Sequence, residues 1–183
     1  SEMCIRDRSD IVASGAHIEQ GIELLFDSNS TPHIVWRDSD LDQIHLAIQN
    51  GSTWDQSTLA TEANGSQFGV IMSENGSIVL MYRHNTSGLV TEWHNGTGED
   101  WSSSSMTVIS NATEETGRAI FRHNADGNLE ILFEDNQSLW QHRFNDAGTV
   151  STGFNQQVSS NQSGISHFTS NGILTVSYTH LRA

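Results

Sequence analysis

Asp38, Asp40 and Asp42 form a D-x-D-x-D run. Alternate carboxylates in one loop can converge on a hard cation, so calcium is the ion this run could hold. The later loop positions depart from that pattern. Gln43 stands where a sixth-position glycine is expected, and Gln49 where a glutamate is. A solvated acidic turn therefore competes with a metal site, and no other cofactor is implied. Nine histidines invite further metal readings, but no H-E-x-x-H occurs. His33, His45, His84, His94, His123, His142 and His167 are scattered without i,i+4 pairing. His84, beside Arg83, is the best placed for a ligand, against the plainer reading of an exposed turn histidine. Trp54, Trp93, Trp101 and Trp140 offer faces on which a sugar could stack. Trp54 and Trp101 are 47 residues apart, and that recurrence favours a structural role for both.

The elements that carry these residues repeat. An apolar stretch, a polar turn and a second apolar stretch, usually ending in an aromatic residue, recur at 21–36, 68–82, 117–133 and 164–178. The closing aromatics Trp36, Tyr82 and Phe133 are spaced by 46 and 51 residues. The apolar residues before each copy, Val12, Leu59, Val108 and Val158, are spaced by 47, 49 and 50. Such a period marks a repeat architecture in which each unit buries its face against its neighbours. The apolar runs are short, rich in Ile, Val, Leu and aromatics, and punctuated by Asn, Asp, Ser and Gly, which is strand and hairpin chemistry.

In the second unit the expected strands are 68–72, 78–82, 89–93 and 106–109, with turns at 74–76 and 84–88 and a loop at 95–100. Asn75-Gly76 suits a type I′ turn, and Asp126-Gly127 and Asn171-Gly172 fill the same slot later. The first unit has residues 28–32 there, including the only proline, and a wider turn is expected. Four antiparallel strands per period indicate an all-β chain, a fragment of a β-propeller with about three and a half four-stranded antiparallel blades. A two-sheet sandwich and a β-solenoid are the alternatives.

The expected division is residues 9–20 as the last strand and connection of a preceding blade, then blades at 21–64, 65–113 and 114–163, and a half blade at 164–176. Residues 1–8 and 177–183 resemble translated sequencing-adapter read-through and are excluded from this division. They carry the only cysteine and three of the eight arginines.

Residues 47–54, AIQNGSTW, and 94–101, HNGTGEDW, resemble degenerate copies of S-x-D-x-G-x-T-W. That motif lies in the C–D hairpin of propellers of the sialidase, or Asp-box, superfamily. The first copy keeps Gly51, Thr53 and Trp54; the second keeps Gly98 and Trp101. The resemblance implies a ligand face made by the D–A and B–C connections. Arg37, Arg83 and Arg118 map to that face, and guanidinium forks suit a carboxylate. Sialidase-like enzymes hold a substrate carboxylate with three arginines and use a Tyr/Glu nucleophile pair with an Asp acid/base. Outside the excluded ends the only tyrosine is Tyr82. It occupies the blade-packing slot of Trp36 and Phe133, with no evident glutamate partner, so no catalytic residue is assigned.

Net charge is −14, with no lysine, which excludes a protein that grips a phosphate backbone. Nine of the fourteen asparagines begin an N-x-S/T sequon. Asn50, Asn64, Asn75, Asn95 and Asn111 are the main glycosylation candidates, although Asn-Gly-Ser is also good turn material. The expectation is a non-catalytic ligand- or partner-binding propeller of an exported or cell-surface protein. Its ligand would be a carbohydrate or protein on the Arg37, Arg83, His84, Arg118 face, with no nucleic acid, no membrane span, and further blades of a parent chain beside it. A sialidase-like glycoside hydrolase completed by those further blades is the alternative.

Overall fold

The computed structural model describes residues 11–14, 18, 21–73, 75–110, 120–123, 129–135, 138–144, 150–160, 163–170 and 173–179. The first sheet comprises β1 (Ile22–Phe26), β2 (Pro32–Asp38), β3 (Gln43–Asn50) and β4 (Thr53–Ala60). The second comprises β5 (Ala63–Met72), β6 (Ile78–His84), β7 (Gly88–Thr97) and β8 (Asp100–Ser110). The third holds β9 (Ile120–His123), β10 (Leu129–Asp135), β11 (Ser138–Phe144) and β12 (Val150–Ser160). A final pair is β13 (Ser163–Ser170) and β14 (Ile173–Thr179). Every pairing is antiparallel, and within each sheet the spatial order follows the sequence. No helix occurs among the described residues. These are blades of the propeller kind: among the described residues, three four-stranded sheets and one two-stranded sheet.

The blades stack face to face. Val35, Ile44 and Leu46 of the first blade share one buried cluster with Phe68, Ile78, Leu80, Tyr82 and Val90 of the second. Val79, Met81, Leu89 and Trp93, on the other face of the second blade, pack with Leu129, Ile131, Phe133 and Phe144 of the third. Strand alternation explains the division, because successive residues of β6 point to opposite faces. Burying one such Leu, Ile or Phe stabilises by roughly 1.5–3 kcal/mol. The period-marking aromatics Tyr82 and Phe133 therefore pack against the preceding blade.

The turns differ from expectation in two places. In the second blade Ser73 N–H donates to Ser77 O (2.8 Å) and Gly76 N–H to Ser73 O (2.9 Å). The loop is thus three residues, with a positive φ of 85° at Gly76 and none at Asn75. A type I′ turn needs positive φ at both central residues, so this is not the I′ hairpin. The first blade does not use a wider turn but the same one. Asp27 N–H donates to Thr31 O (3.2 Å) and Ser30 N–H to Asp27 O (3.0 Å), with Ser30 at φ 64°. Asp27 Oδ1 fixes the loop by accepting from the N–H groups of Asn29 (2.9 Å) and Thr31 (2.7 Å).

Ser30 thus occupies the slot that Gly76 fills. A side chain there costs about 1–2 kcal/mol, partly offset by the greater chain entropy a glycine loses. Ser30→Gly is accordingly expected to stabilise by about 0.5–1 kcal/mol, read as a rise in urea midpoint at unchanged m-value. A lower midpoint would show that Ser30 contributes an interaction beyond its backbone.

The second correction is the C–D hairpin. Residues 95–100 do not form a loop. β7 runs to Thr97, β8 starts at Asp100, and only Gly98 and Glu99 lie between them. The first blade matches, with Gly51 and Ser52 between Asn50 and Thr53. Thr53 Oγ1 donates to Asn50 O (2.9 Å) and Trp101 Nε1 to Gly98 O (3.1 Å). Trp101 also packs on the core between blades one and two and meets His33 edge-on at 6.3 Å. Its role in this hairpin is structural.

Candidate functional site

The B–C and D–A connections of the first two blades come together at one end. The D–A connection is only Thr61 and Glu62, between β4 and β5. It is held from both sides. Ala63 N–H donates to Asp42 O (2.8 Å), and Asn85 N–H donates to Glu62 O (3.0 Å). Asp42 and Glu62 adopt positive φ, 51° and 59°, a conformation costly for residues other than glycine. The tie-points between blades are thus the strained positions of this face.

Arg37 lies at the centre. Its Nε donates to Ala63 O (2.8 Å), and Nη2 meets Asp42 Oδ1 at 2.6 Å with the Arg37 side chain only 8% exposed. The guanidinium is spent on joining blade one to the start of blade two. Arg83 stands at the equivalent register, facing Leu89 as Arg37 faces Ile44, and is half-buried. Arg118 and Asn111 lie outside the described residues. His84 Nε2 lies 3.3 Å from Glu62 Oε2, and its Nδ1 lies 3.3 Å from both Thr86 N and Thr86 Oγ1. His84 therefore knits its own turn to the D–A connection.

The acidic run is divided among separate tasks. Asp38 is buried, and its Oδ1 accepts from the N–H groups of Asp40 (3.0 Å) and Leu41 (3.4 Å). Asp42 binds Arg37, and Asp40 is exposed. Among the described residues no three His, Cys, Asp or Glu side chains are grouped as a metal ion would require.

Tyr82 is 3% exposed, and it does have a glutamate partner. Its hydroxyl is hydrogen-bonded to Glu92, and burial, followed by the Glu92 carboxylate, pushes the phenol well above its ordinary pKa. Glu92 Oε2 also lies 3.3 Å from Nε2 of the buried His94, without hydrogen-bond geometry. The signal for Glu92 was available: Tyr82 faces Val90 and Leu80 faces Glu92 on the same side of the hairpin, a diagonal pair within reach of long side chains. An adjacent carboxylate can activate a nucleophile, but this phenol is closed between two blades and presents no face to a substrate.

His45 stacks on Trp36 (5.4 Å, 25° between planes), and burial lowers its pKa. Asn50, Asn64, Asn75 and Asn95 are all exposed, and Asn50 Nδ2 donates to Asp55 Oδ2 (3.0 Å). No helix among the described residues is long and apolar enough to cross a membrane.

No family model matches the chain, and no curated protein matches it. The Asp-box resemblance thus gains no support from sequence comparison. Solved structures do match. The SapL1 lectin, in complex with alpha methyl fucoside, superposes with a TM-score of 0.59 at 14% identity, over 90% of this chain and 59% of that one. The likeness is one of fold. This chain spans less than two thirds of that lectin's length. A fucose lectin from Kordia zhangzhouensis, in complex with methyl-fucoside, gives a TM-score of 0.48 at 10% identity, over 75% of this chain and 96% of that one.

Proposed function

We propose that the chain is part of a non-catalytic, carbohydrate-binding β-propeller of an exported or cell-surface protein. The observation that carries the non-catalytic reading is the commitment of Arg37 to Ala63 O and Asp42. A carboxylate-gripping arginine cluster needs that fork open towards the ligand. The burial of Tyr82 points the same way, so the sialidase-like alternative loses its nucleophile as well as one arginine. The carbohydrate reading draws on the likeness to a lectin solved with alpha methyl fucoside, and fold alone does not assign a ligand. Export rests on the sequon density.

The test is calorimetric titration of the chain with α-methyl fucoside and other methyl glycosides, alongside a fluorogenic sialoside assay. Saturable binding at about 1 mM or tighter, with no sialoside turnover, is expected. Hydrolysis that depends on Tyr82 would overturn the proposal in favour of the glycosidase.

A further inference from the structure

The opposite end of the first two blades, where the A–B turns lie, holds a cleft of about 350 Å³. Phe26, the last residue of β1, and Met72, the last of β5, line it together with Asp27 of one turn and Ser73 and Asn75 of the other. Phe26 is 56% exposed, a large aromatic surface beside a polar rim.

The hydrogen bonding of the two turns decides what the rim can offer. Asp27 Oδ1 is taken by the N–H groups of Asn29 and Thr31. The Thr31 side chain also bonds this carboxylate, and with about four lone-pair sites on its two oxygens the carboxylate keeps an acceptor to spare. The backbone donors, Thr31 foremost, hold the carboxyl below its ordinary pKa and keep it charged. On the facing turn, Asn75 Oδ1 accepts from Ser77 N–H (3.1 Å), Ser77 Oγ (2.8 Å) and Ser73 Oγ. A backbone N–H needs an oxygen opposite it, which fixes the amide orientation and leaves the Asn75 NH₂ as the donor. One acceptor, one donor and an exposed phenyl ring make a small site of mixed character.

A pyranose ring has the matching pattern, an apolar C–H face with hydroxyls at its edge that both donate and accept. An anionic sugar would meet the Asp27 carboxylate and a chain of net charge −14, so the match is to neutral rings. We propose that this cleft binds a neutral saccharide, its apolar face on Phe26 and two of its hydroxyls between Asp27 and Asn75. The proposal rests on the carbohydrate-binding reading and moves the ligand from the Arg37 end to the A–B turns. A blade seated on the outer face of blade one would leave the cleft open. Met72 holds the register of Phe26, pairing Ile78 as Phe26 pairs Pro32, and although it packs against the core shared by blades one and two it stays partly exposed and lines the cleft.

The experiment uses the unglycosylated chain at low salt, titrated with the methyl glycosides of fucose, galactose and mannose and with a methyl sialoside, followed by amide shifts in NMR. Shifts should concentrate at Ser28, Ser73 and Gly76. Phe26→Ala and Asn75→Asp should each weaken binding at least tenfold. Leu24→Ala, a 55% exposed position on the same strand outside the cleft, should leave binding unchanged. Neutral-glycoside binding that survives both cleft substitutions would overturn the site while leaving the carbohydrate reading intact. Tighter binding of the sialoside would overturn the neutral class. Absence of binding by every glycoside would overturn the site and the carbohydrate reading together.

Discussion

Arg37→Ala is expected to destabilise the chain by about 2–4 kcal/mol, since it removes two charge-assisted hydrogen bonds. One of these reaches Ala63 O, on a residue 1% exposed, and the other Asp42 Oδ1. The two losses differ in kind. Asp42 has a 44% exposed side chain, so water re-solvates its carboxylate and that bond's share is small. The Ala63 carbonyl sits in the blade interface, and losing a buried partner carries most of the penalty. Asp42→Asn should therefore cost only about 0.5–1 kcal/mol, because asparagine tolerates the left-handed backbone and remains an acceptor for Arg37. For a chain of this size, the Arg37→Ala loss corresponds to a fall in Tm on the order of 10 °C. The comparison also bears on function. If Arg37→Ala melts like the parent but abolishes glycoside binding, Arg37 is a ligand residue and the structural assignment made above is wrong.

What could be read from the sequence follows from which residues carry an apolar signal. The inner strands did: the expected strand 78–82 lies within β6, Ile78–His84, because both its faces are buried between blades. The outer strand was half lost. β8 runs from Asp100 to Ser110, but Ser102, Ser103 and Met106 are exposed. A Ser-rich edge strand has no alternation to announce it, so its first half read as loop. Arg37 misled for a different reason. A charged residue near a turn suggests a solvated tip, yet period-two alternation places it on the face of Val35, towards blade two. The A–B turn of the first blade was misjudged because Ser30 does what only glycine usually does. The cleft beside it was not legible at all, since it depends on two turns 46 residues apart lying next to each other. The sugar-stacking candidates named from sequence were tryptophans, whereas the aromatic lining the cleft is Phe26.

Among the described glycines Gly96 is the one with least room for a side chain, and the motif reading rests instead on Gly98. Gly96 pairs with Trp101 across the C–D hairpin of the second blade. A Cβ built there would lie 2.1 Å from Asp100 O and 2.7 Å from Trp101 Cα. Both are backbone atoms, so no rotamer change can relieve the overlap, and β8 must move or the register must slip. Movement would pull Trp101 away from the core it shares with blade one and from the edge of His33. Gly96→Ala is therefore expected to cost about 3 kcal/mol or more, above the usual range for overpacking. Gly98→Ala supplies the contrast. Gly98 has a positive φ of 60°, but its Cβ would meet nothing nearer than Asp55 Oδ2 at 3.9 Å. Only the backbone penalty of about 1–2 kcal/mol applies there. Urea denaturation of the two variants, followed by tryptophan fluorescence, measures the difference directly. Equal losses, or a greater loss at Gly98, would show that the hairpin accommodates a side chain at Gly96 and that the close approach of β7 and β8 does not set the seating of Trp101.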